Sequence, residues 1–538
     1  HPFLPSPGGS MVPRAALLPL LVLAACQVPG DTPLSSLETR AEATDYVETS
    51  RYDDVVEFME RVAGADARIH LTTMGYTFEG RAIPLAVVGD VSDPSPETVM
   101  ASGKTRVYLQ GNIHGGEVPG KEALQMLLRD IGLGAHPEWF DSLVLLVVPI
   151  YNADGNERVR LTNRPRQHGP VGGMGQRPNA QGLDLNRDHM KLDSPEARSL
   201  VAMMNAYDPH VAVDLHTTNG TRHAYHVTYA EPLNPATASE IVGFLREDWL
   251  PTVTRAIKDR HGWDYYYYGN AFAPGGGDMG WYTFDHRPRF NNNYVGLRNR
   301  LAILSEAYSY ATFEDRVQAT YWFVEEILNF AHTRARDISR ITEEVDGQSV
   351  VGRELAVRSA WQESPQPVEI LMGEVDREQN PWSGEVMLRR RDVSVPTPMR
   401  EFVTFRATET STAPAEYLVP GELSEVLDRL RAHGILLESL DGDIPRTVDV
   451  FQVETSVAAE RAFQGHNERT LTGAWVPGER TVGEGWFRVP VDQPLGRLAF
   501  YLLEPRSDDG LVNWGFLDEA LEGVDEYPVF RVPASPDP

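Results

Sequence analysis

The sequence predicts an α/β fold, a mainly parallel sheet with helices on both faces, followed by a separate β-rich domain. Three observations carry this. Four strand-like apolar runs, Arg106–Leu109, Leu143–Val148, Val211–Leu215 and Leu301–Ser305, come at wide intervals. All but the first are nearly uninterrupted, as strands buried on both faces are. Helix-type patterns lie between them, and from about Glu343 the chain changes to short Val/Thr/Phe/Tyr runs separated by turn residues.

The elements follow in order. A helix is expected over Arg51–Ala63, where Val55, Val56, Met59 and Val62 share one side. Ile69–Thr73 is a short strand, and Gly75–Arg81 turns into a second, Ile83–Val88. Glu122–Arg129 is helical. Pro195–Tyr207 is helical too, with Ser194 as N-cap and Pro195 at the first helical position. Ala236–Arg260 is a long helix ended by Gly262. Phe313–Arg334 has Thr312 as its cap. In the β-rich part, Glu369–Met372, Phe402–Arg406, Thr447–Glu454, Phe487–Val491 and Leu498–Leu503 read as strands, and Leu423–Ala432 as a helix closed by Gly434. The polar and aromatic residues around Gly465-His466 and Leu503–Trp514 suit a surface or a domain interface.

At 538 residues the chain is too long for one ordinary core. Its 77 acidic residues against 49 basic ones leave a formal charge of −28, which argues against nucleic acid and against a polybasic membrane patch. The single cysteine, Cys26, excludes an intramolecular disulfide and a Cys-based metal site. Residues 11–26 read as an export signal: Arg14 precedes the apolar run Ala15–Ala25, and Leu23-Ala24-Ala25-Cys26 resembles the bacterial lipobox. The expected protein is therefore an exported periplasmic or cell-envelope lipoprotein, touching the membrane only through a lipid on Cys26. Residues 27–42, rich in Pro, Thr and Ser, read as a tether. Residues 43–336 form the expected catalytic domain and 343–538 the β-rich accessory domain. Residues 1–10 precede Met11 and are set aside from the fold.

In open α/β sheets, sites form beyond the carboxyl ends of the strands. The first run is followed by His114 and Glu117, the second by Asn152 and Asp154, the third ends in Asp214-Leu215-His216, and the fourth in Ser305-Glu306. All four deliver a His, Glu or Asp to one edge. Two histidines and a carboxylate, His114, Glu117 and His216, make a catalytic zinc set with a position left for water. Gly111, Gly115 and Gly116 are expected to allow the sharp bend of the HGGE turn. Asp214, two residues from His216, can accept from a ligand imidazole. Glu306 is the candidate base. In GLDLNRD, Asn186 and Arg187 offer donors that fit a carboxylate. In NRPRQH, Arg164 and Arg166 supply a cation for an oxyanion.

HGGE at 114–117, NADG at 152–155, NRPR at 163–166, LDLNR at 183–187, DLH at 214–216 and LSEAY at 304–308 together resemble the carboxypeptidase A-like zinc carboxypeptidases. The resemblance covers about residues 43–336. It implies a mixed sheet of eight strands, one zinc per chain on His114, Glu117 and His216, and Glu306 as general base and acid. It implies that Asn186 and Arg187 bind the C-terminal carboxylate of a peptide or protein. The oxyanion arginine falls in 163–166, with Arg166 the first choice and Arg164 the next. The family's mobile tyrosine has no counterpart at the expected offset from Gly275-Gly276-Gly277-Asp278; Tyr268, Tyr282 and Tyr294 all remain open. Two alternatives share the residues: a zinc amidohydrolase, deacylase or cell-wall peptide trimming enzyme of the same fold, and a non-catalytic peptide-binding lipoprotein. The preferred terminal residue and the oligomeric state are not legible.

Overall fold

The computed structural model describes residues 33–534 except 219 and 278. The signal, Cys26 and the first part of the tether lie outside the described residues. The central sheet is built from β1 (Ile69–Tyr76), β2 (Ala82–Val88), β3 (Thr105–Gly111), β4 (Leu143–Val148), β5 (Val211–Thr218), β6 (Val227–Ala230), β7 (Tyr265–Tyr267) and, after the short strands β8 (Asn270–Phe272) and β9 (Gly280–Tyr282), β10 (Leu301–Tyr308). Its order is β1-β2-β4-β3-β5-β10-β6-β7. The four apolar runs are its four central neighbours, β4, β3, β5 and β10, and every pair among them is parallel. All residues of β3, β4 and β5 are buried, which explains why these runs lack polar alternation. The outer pairs β1/β2, β2/β4 and β10/β6 are antiparallel, so the sheet is mixed.

One face is covered by the helices Tyr52–Ala65, Pro119–Gly132, Leu250–His261 and Phe313–Thr333, through residues such as Phe58, Leu127, Val253 and Phe323. Ser194 caps Pro195–Tyr207 by accepting from Ala197 N–H, and Thr312 caps the helix from Phe313 by accepting from Asp315 N–H. Gly262, at φ 75°, closes the Leu250–His261 helix. The segment read as one helix over Ala236–Arg260 starts at Ser239 and passes through a wider π turn at Phe244–Trp249. Residues 33–43, assigned by composition to the tether, dock on the Pro119–Gly132 helix. Leu37 and Ala41 are buried, and Arg129 bonds the Leu37 carbonyl and the Glu42 carboxylate.

On the other face, Pro195–Tyr207 and a buried helix not foreseen in the sequence, Asn291–Leu297, lie between the sheet and the C-terminal β-rich sheets. One continuous apolar cluster runs from Tyr108 and Leu146 through Leu200 and Tyr294 to Tyr417, Phe500 and Trp514. The β-rich part also pairs directly with the first: β9 runs parallel to Val395–Phe402. Leu498–Leu503, expected as a strand, belongs to a helix, Gly496–Leu503. Every residue of that helix is buried, and Leu498–Leu503 is a short unbroken apolar run that reads equally as a buried strand.

A buried ion pair fastens the two parts. Arg289 donates through Nε to Asp509 Oδ1 at 2.8 Å and through Nη2 to Glu468 Oε1 at 2.5 Å, while its backbone N–H reaches Asp509 Oδ2. Arg289→Ala is expected to cost about 3–5 kcal/mol, because it strands a buried carboxylate. Denaturant unfolding measures this, and Asp509→Ala on the Arg289→Ala background should recover part of the loss.

Candidate metal centre

The HGGE turn begins where β3 stops. Its bend is made by Asn112, which sits in the left-handed region at φ 65°. The Asn112 amide then donates to the carbonyls of His114, Gly115 and Glu117 at 3.2–3.4 Å and winds the turn around itself. The glycines serve a different end from the expected bend. None of Gly111, Gly115 and Gly116 has a positive φ. They allow close approach instead: a Cβ on Gly115 would lie 2.3 Å from the Gly155 carbonyl carbon, and one on Gly116 would lie 2.5 Å from the Gly175 oxygen. Asn152 and Asp154, after β4, build the wall behind the turn. Asn152 Nδ2 donates to the Ile113 carbonyl, and Asp154 binds Thr77 and Arg81.

β5 brings His216 to the same place, and β10 sets Glu306 opposite it as its register partner. Donor atoms of His114, Glu117 and His216 all lie within 4.8 Å of one another. His114 Nδ1 is 3.0 Å from Glu117 Oε1, and His216 Nδ1 is 2.9 Å from Glu117 Oε2. Each imidazole is held from behind by a carboxylate: His114 Nε2 to Asp184 Oδ1 at 2.9 Å, His216 Nε2 to Asp214 Oδ2 at 2.7 Å. A proton held on each Nε2 leaves each Nδ1 lone pair turned inward. His114 Nδ1 is buried and has no hydrogen-bond partner, as a ligand atom would. Two nitrogens and a carboxylate, converging and shielded, fit one zinc ion with an open position. Burial would raise the Glu117 carboxyl, but the His114 and Arg164 charges overcome it and hold it well below the usual range.

A cavity of about 170 Å³ opens over these ligands. Glu306 lines it, keeping part of its surface open to the cavity. Burial pushes its carboxyl up to about 8, against the pull of His216 and with the help of the Glu117 charge. A divalent cation beside it draws that value down, into the range a proton shuttle needs. Asn186 and Arg187 also line the cavity. Asn186 Oδ1 accepts from Asn291 N–H, and its Nδ2 lies 3.5 Å from His216 Nε2. The Arg187 guanidinium lies over the Phe290 ring, 4.0 Å from its centroid. Of the three tyrosines, Tyr268 lines the cavity. Tyr282 stacks on Phe402, and Tyr294 bonds His433 in the core.

The arginines depart from the sequence expectation. Arg164, at φ 49°, closes a turn with Gln167 and sends its side chain inward, where Nη2 donates to Glu117 Oε1 at 2.7 Å. The same turn carries Arg166 outward. It is exposed and lines a neighbouring cavity, not the one over the ligands. Arg177, which the sequence reading passed over, lines the site. It binds Asp184 through Nε at 2.9 Å and lies 3.7 Å from Glu117 Oε1. Its only signal was its place in the loop ahead of LDLNR. Asp184 was quoted in that motif without a role, yet it orients His114. Gln464, from the turn between strands Ile444–Ala458 and Arg469–Val482, accepts from Asp184 N–H at 2.7 Å. The Gly465-His466 region thus does sit at an interface, with His466 Nε2 bonding Asp193 at 2.8 Å.

Asp184→Ala and Asp214→Ala are each expected to weaken zinc binding about 10–100-fold. Chelator competition measures this, with the fold checked by circular dichroism.

Residues 55–284 match a family model described as zinc carboxypeptidase. That span contains His114, Glu117 and His216 and stops short of Glu306. Carboxypeptidase 2 of Trichophyton rubrum is 25% identical over 521 residues, covering 89% of this chain and 86% of that protein. Human carboxypeptidase Z is 32% identical over 173 residues, covering 31% of this chain and 25% of that protein. Among solved structures, carboxypeptidase A from Helicoverpa armigera gives a TM-score of 0.41 at 16% identity, covering 56% of this chain and 78% of that one. The family model matched over residues 55–284 and the His–Glu–His ligand set at the strand ends agree on a zinc-dependent metallocarboxypeptidase.

Proposed function

We propose that this zinc carboxypeptidase removes single residues from the C termini of peptides and favours large apolar or aromatic ones, with Glu306 as general base and then general acid. The observation that carries the reading is Glu306 standing in register with His216, inside the cavity formed over the ligand set. Zinc on His114, Glu117 and His216 supplies Lewis acidity, polarising the scissile carbonyl and making water acidic enough to lose a proton near neutrality. Glu306 takes that proton from the attacking water and returns it to the leaving amine. Asn186 and Arg187 hold the substrate's free carboxylate, with the Arg187 plane braced by Phe290. Arg177 is the cation best placed for the developing oxyanion: it lines the cavity and stands 3.7 Å off Glu117, whereas Arg164 is engaged with Glu117 at 2.7 Å.

The terminal preference follows from the wall. Tyr268, Phe284, Phe290 and Leu304 line the cavity; Tyr268 meets Phe284 edge to face and Phe284 meets Phe290 at a tilt, so the three form one aromatic surface. Among the described residues the lining carboxylates are Glu117, a ligand, and Glu306, the base, so neither serves to hold a basic side chain.

Location is part of the proposal. We read the protein as exported and anchored by a lipid on Cys26, because the residues before it have the order of a lipoprotein signal. Among the described residues no helix is long and apolar enough to cross a membrane. We read residues 343–538 as an accessory unit whose Gln464 turn holds the Asp184 backbone behind the site.

Glu306→Gln is expected to lower kcat about 10²–10⁴-fold with zinc content unchanged. Peptides ending in Phe or Leu should be cut in preference to those ending in Lys or Asp. Both are read by mass spectrometry of peptide mixtures with and without chelator. Turnover of N-acyl amino acids alone, with peptides untouched, would contradict the peptide reading.

A further inference from the structure

A second cavity, of about 430 Å³, adjoins the one over the metal ligands, and Arg164 lines both. Its other lining residues are Pro165, Arg166, Gln167, Gly220 and Tyr310. No carboxylate is among them. Donors around it lack acceptors among the described residues. Arg164 Nε and Gln167 Nε2 are buried with no hydrogen-bond partner. Gln167 spends its oxygen on Arg316, which leaves only the donor end of its amide free. The exposed Arg166 guanidinium has no ion pair or side-chain hydrogen bond among the described residues. Arg166 is thus the open donor of this cavity, and a guanidinium with no carboxylate beside it suits an anionic, acceptor-rich occupant.

The cavity's position says which occupant. Asn186 and Arg187 line the ligand cavity but not this one. Arg164 lines both cavities, so a peptide with its terminal carboxylate at Asn186 and Arg187 and its scissile carbonyl at the ligands would extend past Arg164 into the second. We propose that this cavity is the binding site for acidic side chains upstream of the scissile bond, and that Arg166 selects substrates with Glu or Asp there. The proposal rests on the carboxypeptidase reading. It adds a preference at the residues before the cut, where that reading specifies only the terminal one. Arg166 is thus a specificity residue and not the oxyanion cation that the sequence suggested.

The test uses the zinc-loaded full chain and N-acetylated hexapeptides ending in Phe. The two residues before the scissile bond are Glu-Glu, Gln-Gln or Lys-Lys, and released Phe is quantified. The expected order of kcat/KM is Glu over Gln over Lys, by about three- to tenfold a step at low salt, shrinking as ionic strength rises. Arg166→Ala should bring the Glu-to-Gln ratio close to one, and Arg166→Glu should invert the order. Equal kcat/KM across the three peptides, or an order that survives Arg166→Glu, overturns the acidic subsite while leaving the carboxypeptidase intact. Failure to cut even the Gln-Gln peptide overturns the carboxypeptidase reading and the subsite with it.

Discussion

Two buried carboxylates decide the chemistry of this molecule. Asp184 and Asp214 each accept a hydrogen bond from the Nε2 of a histidine, and so fix which nitrogen His114 and His216 turn inward. Without them, two imidazoles and Glu117 would be a cluster of mutually bonded polar groups. With them, both Nδ1 atoms meet the Glu117 oxygens at about one point. Much of the surroundings exists to hold these carboxylates. Asp214 is steadied by Gln110 on the neighbouring strand, and Gln110 by Tyr108. Asp184 is steadied by Arg177 and by Gln464.

Those supports reach across the whole chain. The sheet supplies Asp214 by strand alternation, two residues before His216. Asp184 comes from a loop, which has no ladder to hold it, and its backbone is tied down from the C-terminal part. The turn carrying Gln464 is anchored by His466 on Asp193 and by Glu468 on Arg289. Trp514 and Phe463 cover the Arg289 guanidinium. The β-rich part therefore joins the first through a shared core and through a contact to the metal centre's second layer.

The legible parts of the sequence were those with a local cause. Parallel strands buried on both faces must be apolar throughout, so β4, β5 and β10 stood out, and the strand-end rule placed His114, His216 and Glu306 together. Ser194 and Thr312 declared their helices by capping chemistry. What failed was either unpatterned or long-range. The Gly496–Leu503 helix is buried all round, and its short apolar run reads equally as a buried strand. The glycines of HGGE suggested a bend, whereas Asn112 makes it and the glycines admit the Gly155 and Gly175 backbones. Which arginine faces the ligands depends on one left-handed residue, Arg164, that no local pattern marks. Gln464 lies 280 residues from Asp184, and only the folded hairpin brings it there.

The most direct test is anomalous diffraction at the zinc edge from crystals of the purified protein. The account predicts one peak per chain, bounded by Nδ1 of His114, Nδ1 of His216 and the Glu117 carboxylate, with both Nε2 atoms still on Asp184 and Asp214. A peak elsewhere, or a zinc reached through either Nε2, would contradict it.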